Sequence, residues 1–192
     1  MPFAPHRRLR RASWMALCLC LWLSLSLPFG AARAESAPLE RQVKAAYLYK
    51  FAGFVEWPEG SFARPDAPLQ IGVAGNDALA EQIEQMVAGR SINGHPIAVR
   101  KLHRGEALAG LHILFVGALE RSAAAELLAA ARGQSLLTVT DSDDMAALGS
   151  MVNFVVADDR LRFQVALKAV AASRLRISAR MLAAAYKVQG AI

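Results

Sequence analysis

Side chains able to do chemistry are few and scattered in this sequence. Asp141, Asp143 and Asp144 follow Leu136-Leu137-Thr138-Val139-Thr140, an apolar run that reads as a buried strand, and carboxylates at a strand end can hold a hard cation such as Mg²⁺. The same three residues can instead cap a short helix through Met145 and Leu148, where acids meet free backbone N–H groups and the helix dipole. Capping is the favoured reading. Gly72-Val73-Ala74-Gly75-Asn76 leaves a strand and enters a helix, a geometry that can turn backbone N–H groups toward an anion. Only two glycines are present, and neither a phosphate lysine nor a ribose carboxylate follows, so the dinucleotide fingerprint is incomplete. A tight strand-to-helix turn explains the segment more simply. His95, His103 and His112 lack the helical spacing of a metal pair and read as surface or internally satisfied histidines. No Gly-x-Ser-x-Gly elbow exposes a nucleophile; Ser142 and Ser178 suit a turn and an N-cap, and Asp158-Asp159 suits a solvated turn. No catalytic, metal or cofactor residue is assigned.

Aromatic residues are more suggestive. Tyr47, Tyr49, Phe51, Phe54 and Trp57 fall within eleven positions. Val43, Tyr47, Phe51 and Phe54 recur at helical spacing and predict a core-facing stripe, with Glu40, Arg41 and Lys44 largely elsewhere on the wheel. Tyr49 and Trp57 lie off that stripe. Packing is the default for both, and exposed anchors for a partner protein are the alternative, which makes them the candidate partner-binding residues.

The elements that must position these groups follow from periodicity. A helix is expected over Glu35 to about Val55, with Ser36 as its N-cap and a stop before Pro58, then a loop from Trp57 to Pro68. Strands are expected at Leu69–Ala74, Pro96–Leu102, His112–Val116, Leu136–Thr140, Met151–Val156 and Leu161–Val165. Helices are expected from Asn76, as N-cap, to Gly89 and from Ser122 to Arg132, with one or two more from about Ala166 to Val188. Asn93-Gly94 marks a turn. The fold class is α/β: a three-layer sandwich with a mixed, mainly parallel sheet of about six strands flanked by helices, whose last two strands join tightly enough to be antiparallel.

Residues 1–34 stand apart. Arg7, Arg8, Arg10 and Arg11 precede an apolar run from Trp14 to Leu27, the order of a secretory signal peptide. The run falls short of the roughly twenty residues that a membrane anchor needs. Ala32-Arg33-Ala34 supplies a small-x-small cleavage site, so the cut is placed between Ala34 and Glu35, leaving residues 35–192 as a single periplasmic domain. The net charge of +6 then misleads. Five of the 22 basic residues and none of the 16 acids lie in the signal, so the mature chain carries 17 against 16. That balance removes the electrostatic footprint expected for nucleic acid. Cys18 and Cys20 are the two cysteines and go with the signal, so no disulfide is expected afterwards.

Six segments stand out together: Ala45-Ala46-Tyr47-Leu48-Tyr49-Lys50-Phe51-Ala52-Gly53-Phe54-Val55-Glu56-Trp57-Pro58, Ile71-Gly72-Val73-Ala74-Gly75, His112-Ile113-Leu114-Phe115-Val116, Leu137-Thr138-Val139-Thr140-Asp141, Gly149-Ser150-Met151-Val152-Asn153-Phe154 and Leu175-Arg176-Ile177-Ser178. In this order they resemble the YfiR-like family of periplasmic proteins of Gram-negative bacteria. The resemblance implies a non-catalytic regulator that represses an inner-membrane diguanylate cyclase by binding its periplasmic portion, lowering cyclic di-GMP and biofilm formation. It also implies an OmpA-type outer-membrane lipoprotein that sequesters the repressor. Two departures stand out. Phe163-Gln164-Val165-Ala166 replaces a typical Phe-Glu-Ile-Asn, and Leu111 stands where many relatives have cysteine. The expected function is therefore a periplasmic repressor without cofactors, not an enzyme. Its expected partner is a membrane diguanylate cyclase or sensor, and a homodimer is a further expected state. A periplasmic small-ligand receptor, using the crevice near Gly75 and Asn76, is the alternative.

Overall fold

The computed structural model describes residues 31–190. The charged and apolar parts of the expected signal peptide up to Gly30 lie outside the described residues. The chain divides into the units Met1–Pro38 and Leu39–Ile192, and every strand among the described residues belongs to the second. Among the described residues no helix is long and apolar enough to cross a membrane.

Eight of the ten described strands of this unit form one sheet, in the order β10 (Lys187–Gln189), β8 (Arg160–Ala166), β7 (Val152–Ala157), β6 (Leu137–Thr140), β5 (Ile113–Val116), β2 (Leu69–Ala74), β4 (His95–Leu102) and β3 (Ser91–Ile92). Its centre is parallel: β2 (Leu69–Ala74) lies between β4 (His95–Leu102) and β5 (Ile113–Val116), and β5 pairs with β6 (Leu137–Thr140). Both faces of β5 and β6 are covered, so every residue in them is buried; β5 reads as an unbroken apolar run, whereas β6 alternates Leu137 and Val139 with Thr138 and Thr140, whose hydroxyls are buried and hydrogen-bonded. β7 (Val152–Ala157) continues the parallel set, and β8 (Arg160–Ala166) returns antiparallel to it. The two-residue turn between them places Asp158 and Asp159 at φ 52° and 54°, a conformation that Asp tolerates better than most side chains. This is the solvated turn expected there.

One face of the sheet packs against α1 (Ala31–Phe54) and α2 (Asp77–Val87) around Phe51, Ile71, Ile83, Phe115 and Phe163. The opposite face packs against α3 (Arg121–Ala131) and the one-turn α4 (Asp143–Ala146) around Leu102, Leu111, Leu114, Leu128 and Met145. The three layers and the mixed, mainly parallel sheet agree with the sequence. Two short edge strands, β3 (Ser91–Ile92) and β10 (Lys187–Gln189), extend it beyond the six expected.

Three local expectations are corrected. Helix α1 already includes Ser36 and Pro38 and ends at Phe54, so Ser36 is not its cap. Val55 and Glu56 instead form β1, paired with β9 (Arg176–Ile177). The tail holds α5 (Leu167–Ala171) and α6 (Ala179–Ala184) but also β9 and β10, strands too short to show a period. Lys44, expected off the apolar face, is 8% exposed among buried Ala45, Leu48, Phe51 and Ala52. A charge sits there because carboxylates meet it.

Candidate functional site

The carboxyl end of β6 and the facing turn of α1 hold the densest polar cluster. Lys44 Nζ donates to Asp141 Oδ2 at 2.7 Å and lies 2.6 Å from Glu40 Oε1, one helical turn earlier. Burial works against the ammonium charge, but the hydrogen bonds and charges of Asp141 and Glu40 outweigh it and hold the Lys44 pKa above its ordinary value. An amine held protonated in this way is neither base nor nucleophile at neutral pH. Behind it runs a chain of neutral groups. Thr140 Oγ1 donates to Asn153 Oδ1 at 3.1 Å and lies 3.0 Å from Ser150 Oγ, while Asn153 Nδ2 donates to Asp143 Oδ1 at 2.9 Å. Thr138 Oγ1 accepts from the Met151 backbone at 3.0 Å. These bonds pin β6, α4 and β7 to one another and leave the internal polar atoms partnered, as burial requires. A cleft of about 230 Å³ opens beside Lys44, Asp141 and Asp143 and is rimmed by Leu161 and Val156, the latter 69% exposed.

This arrangement refines the reading of the three acids. Asp143 and Asp144 occupy the first turn of α4, as capping predicts, yet Ser142 at the N-cap makes no side-chain cap bond. Asp141 faces away to Lys44. Among the described residues no three His, Cys, Asp or Glu side chains are grouped to hold a metal ion.

A second cluster fastens the Trp57–Pro68 loop to the amino end of β5. His112 is 3% exposed; its Nδ1 accepts from the Gln70 backbone N–H at 3.1 Å and its Nε2 lies 3.1 Å from Ser61 O. With Nδ1 accepting, Nε2 carries the proton and donates to Ser61, which defines a neutral tautomer. Burial pushes the His112 pKa below its ordinary value, against the Ser61 carbonyl, and nearby His95 adds to the lowering. Phe62 stacks between His95 and His112, with centroids 3.7 and 4.2 Å away. The Trp57 ring meets His112 edge-on at 5.7 Å, and its Nε1 donates to His112 O at 3.3 Å. His112 is thus an internally satisfied histidine, as expected.

Tyr49 and Trp57, the candidate partner anchors, are both half-buried and pack on the main core. The Arg90 guanidinium lies over the Tyr49 ring at 5.6 Å. They belong to separate surroundings, and interior contacts account for much of each side chain. The Gly75–Asn76 turn is built differently from an anion cradle. Asn76 Oδ1 caps α2 by accepting from Leu79 N at 3.0 Å, and a Cβ on Gly75 would come within 2.9 Å of Leu119 and 3.0 Å of Ala118 O. Of the residues that sequence reasoning missed, Lys44 carried a signal: a lysine next to Ala45 and one helical turn before Leu48, on a buried helix face, needs an acid to meet it. Asn153 and Ser150 carried none, since their partners are brought near only by the parallel pairing of β6 with β7.

A comparison with the curated proteins gives no match. The model of the YfiR/HmsC-like family matches residues 41–186, a span that runs from α1 to Tyr186 through every strand of the sheet except β10 and takes in both polar clusters apart from Glu40. On that match, which covers well over half of the sequence, the chain belongs to the YfiR/HmsC-like family.

Proposed function

We propose that the chain is a periplasmic regulator of cyclic di-GMP signalling that binds the periplasmic portion of an inner-membrane diguanylate cyclase and holds it inactive. The observation that carries this reading is the family match over residues 41–186. The protonated, fully engaged Lys44 and the neutral, fully engaged His112 are consistent with a binding role, because neither is free to transfer a proton. Export precedes function: the signal peptide is removed between Ala34 and Glu35, and the rest acts in the periplasm. Repression works by preference for the inactive conformation of the cyclase, and moving it from roughly 1:99 to 99:1 takes about 5.5 kcal/mol of differential binding. An OmpA-type lipoprotein that competes for the domain would relieve the repression.

Deleting the gene should raise cellular cyclic di-GMP, and supplying the full chain should restore it. Unchanged cyclic di-GMP in the deletion strain refutes the reading. Mass spectrometry of the periplasmic protein checks export, with Glu35 as the expected first residue.

One observation favours a small-ligand receptor as second reading. A mostly apolar cleft of about 280 Å³ lies between the His103–Leu108 segment and α3, lined by Leu102, Leu108, Leu119 and Leu127. It suits an amphipathic solute rather than an anion. Calorimetric titration with a panel of such solutes would distinguish it from the regulator.

A further inference from the structure

The hairpin β7–β8 has two unlike faces. Register pairs Phe154 with Phe163 and Val152 with Val165, and these side chains enter the core beneath α1. The alternate residues turn the other way: Val155 opposite Arg162, and Asn153 opposite Gln164. β10 extends this second face, because Lys187 lies beside Gln164 and Gln189 beside Ala166. On the rest of the sheet the second face is covered by α3, but α4 stops after four residues. Arg160, Lys187 and Gln189 are consequently exposed, and Val155, Arg162 and Gln164 are half-exposed. A sheet face of this width without a helix layer is unusual in an α/β sandwich.

Away from the hairpin tip its charge is positive. Arg160, Arg162 and Lys187 project from neighbouring positions of β8 and β10, and among the described residues none of the three has a carboxylate within 4.0 Å. The Arg162 Nε is enclosed and has no hydrogen-bond partner, although a buried guanidinium N–H ordinarily finds an acceptor. Gln164 accepts from Gln189 Nε2 at 2.8 Å, leaving its own amide N–H groups for an outside acceptor. The nearest acids in sequence, Asp158 and Asp159, occupy the hairpin tip, and Asp143 is engaged by Asn153. The face therefore runs from an acidic tip to a basic centre, with amides beyond.

We propose that this uncovered face of β7, β8 and β10, centred on Arg162 with Arg160, Gln164, Lys187 and Gln189, is a docking surface for an acidic segment of a partner protein. Charge complementarity selects the occupant. Two arginines and a lysine match carboxylates, and the acidic tip directs such a segment toward β10. A lipid surface fits less well, because the face offers amides where a membrane-binding patch would offer inserted apolar or aromatic side chains. The inference rests on the reading that the domain acts by binding a protein, and it assigns that act to a surface.

Two measurements test it, both on the natural processed protein. In the first, isotope-labelled protein purified from the periplasm is titrated with a peptide of alternating Glu and Ala, its Gln counterpart, and phosphatidylglycerol vesicles. The acidic peptide alone should shift amide resonances at Arg160, Arg162, Gln164, Lys187 and Gln189. Affinity should fall at least about tenfold at high salt, as screening of exposed charges requires, and in the triple variant R160E/R162E/K187E with an unchanged melting temperature. Shifts confined to another surface, or equal binding of vesicles through this face, overturn the proposal. In the second, the triple variant is supplied to the deletion strain. It should fail to lower cyclic di-GMP although exported at normal level; full repression by the variant overturns the docking surface and leaves the regulator reading intact. No effect of the deletion itself refutes that reading, and the peptide titration then decides the surface alone.

Discussion

The centre of the sheet and its β7–β8 end differ both in their residues and in what covers them. In β5, Ile113-Leu114-Phe115-Val116 is buried on both faces. In β8 only Phe163 and Val165 are buried, and the residues that alternate with them are Arg160, Arg162 and Gln164 on the other face. The central strands are held by apolar contact from two layers. The hairpin takes its apolar support from one layer, and polar bonds at its base fix its position. A doubly covered sheet leaves neither of its faces open, and the proposed docking surface accordingly uses the part of the sheet where a layer is missing.

Stability should divide along the same line. Phe115 is fully buried between the parallel neighbours of β5 and packs near Phe154. Phe115→Ala should cost about 3–5 kcal/mol, the usual loss for a core aromatic. Val155→Ala, on the open face of β7, should cost no more than about 0.5 kcal/mol. Urea unfolding of both variants checks the contrast, and equal losses would mean that the hairpin face is packed in solution.

Lys44 joins the two regions, because its partner Asp141 follows β6 and the network behind Asp141 reaches β7. Lys44→Met should leave Asp141 facing an apolar methionine and cost about 1–3 kcal/mol, the penalty for stranding a buried polar partner. Adding Asp141→Asn should recover part of that loss, as replacing both members of a buried pair commonly does. The wild-type contribution also has a pH window. Since the folded pKa of Lys44 is raised, its stabilisation is complete below the ordinary lysine value and is lost as pH rises through the folded one. A loss in the double variant equal to that in Lys44→Met would show that the two charges do not interact.

Helix ends test the covered half more gently. Asn76→Ala removes the bond to Leu79 N that starts α2 and should cost about 1 kcal/mol, read as a lowered midpoint with an unchanged slope. The N-cap, the Asn93-Gly94 turn and the apolar strands were all legible in the sequence, because each is a local rule acting over two to six residues. So was the whole central sheet. The tail was not: β9 and β10 hold two and three residues, and their pairing with β1 and β8 depends on where the chain has already gone. The polar clusters were legible only in part for the same reason. Asp141 was visible as an acid after a strand, but its partner lies 97 positions away. His112 was visible as a histidine at a strand start, whereas the stack with Phe62 and His95 comes from the loop folding back.

The smallest expected effect is the most local and concerns that loop. His112 is held neutral, with Nδ1 accepting from Gln70 N–H and Nε2 facing Ser61 O. Protonation would turn Nδ1 into a donor aimed at another donor, so the loop attachment should weaken under acid. The sign follows from the lowered pKa: stability is complete above the ordinary histidine value near 6.5, where folded and unfolded chains are both neutral, and falls as pH drops below it through the folded value. Trp57 reports the event directly. After removal of the expected signal, which contains Trp14 and Trp22, it is the sole tryptophan, and its ring meets His112 edge-on at 5.7 Å. An imidazolium at that distance quenches indole emission, whereas neutral imidazole does so weakly. Emission should therefore fall with a midpoint below 6.5 in the folded protein, before the central sheet unfolds by circular dichroism. In His112→Gln the acid step should vanish while the neutral-pH spectrum persists. A midpoint at or above 6.5, or the same step in His112→Gln, would show that His112 is not the titrating group. Emission and dichroism falling together would show instead that the loop is not a separately opening part of the fold.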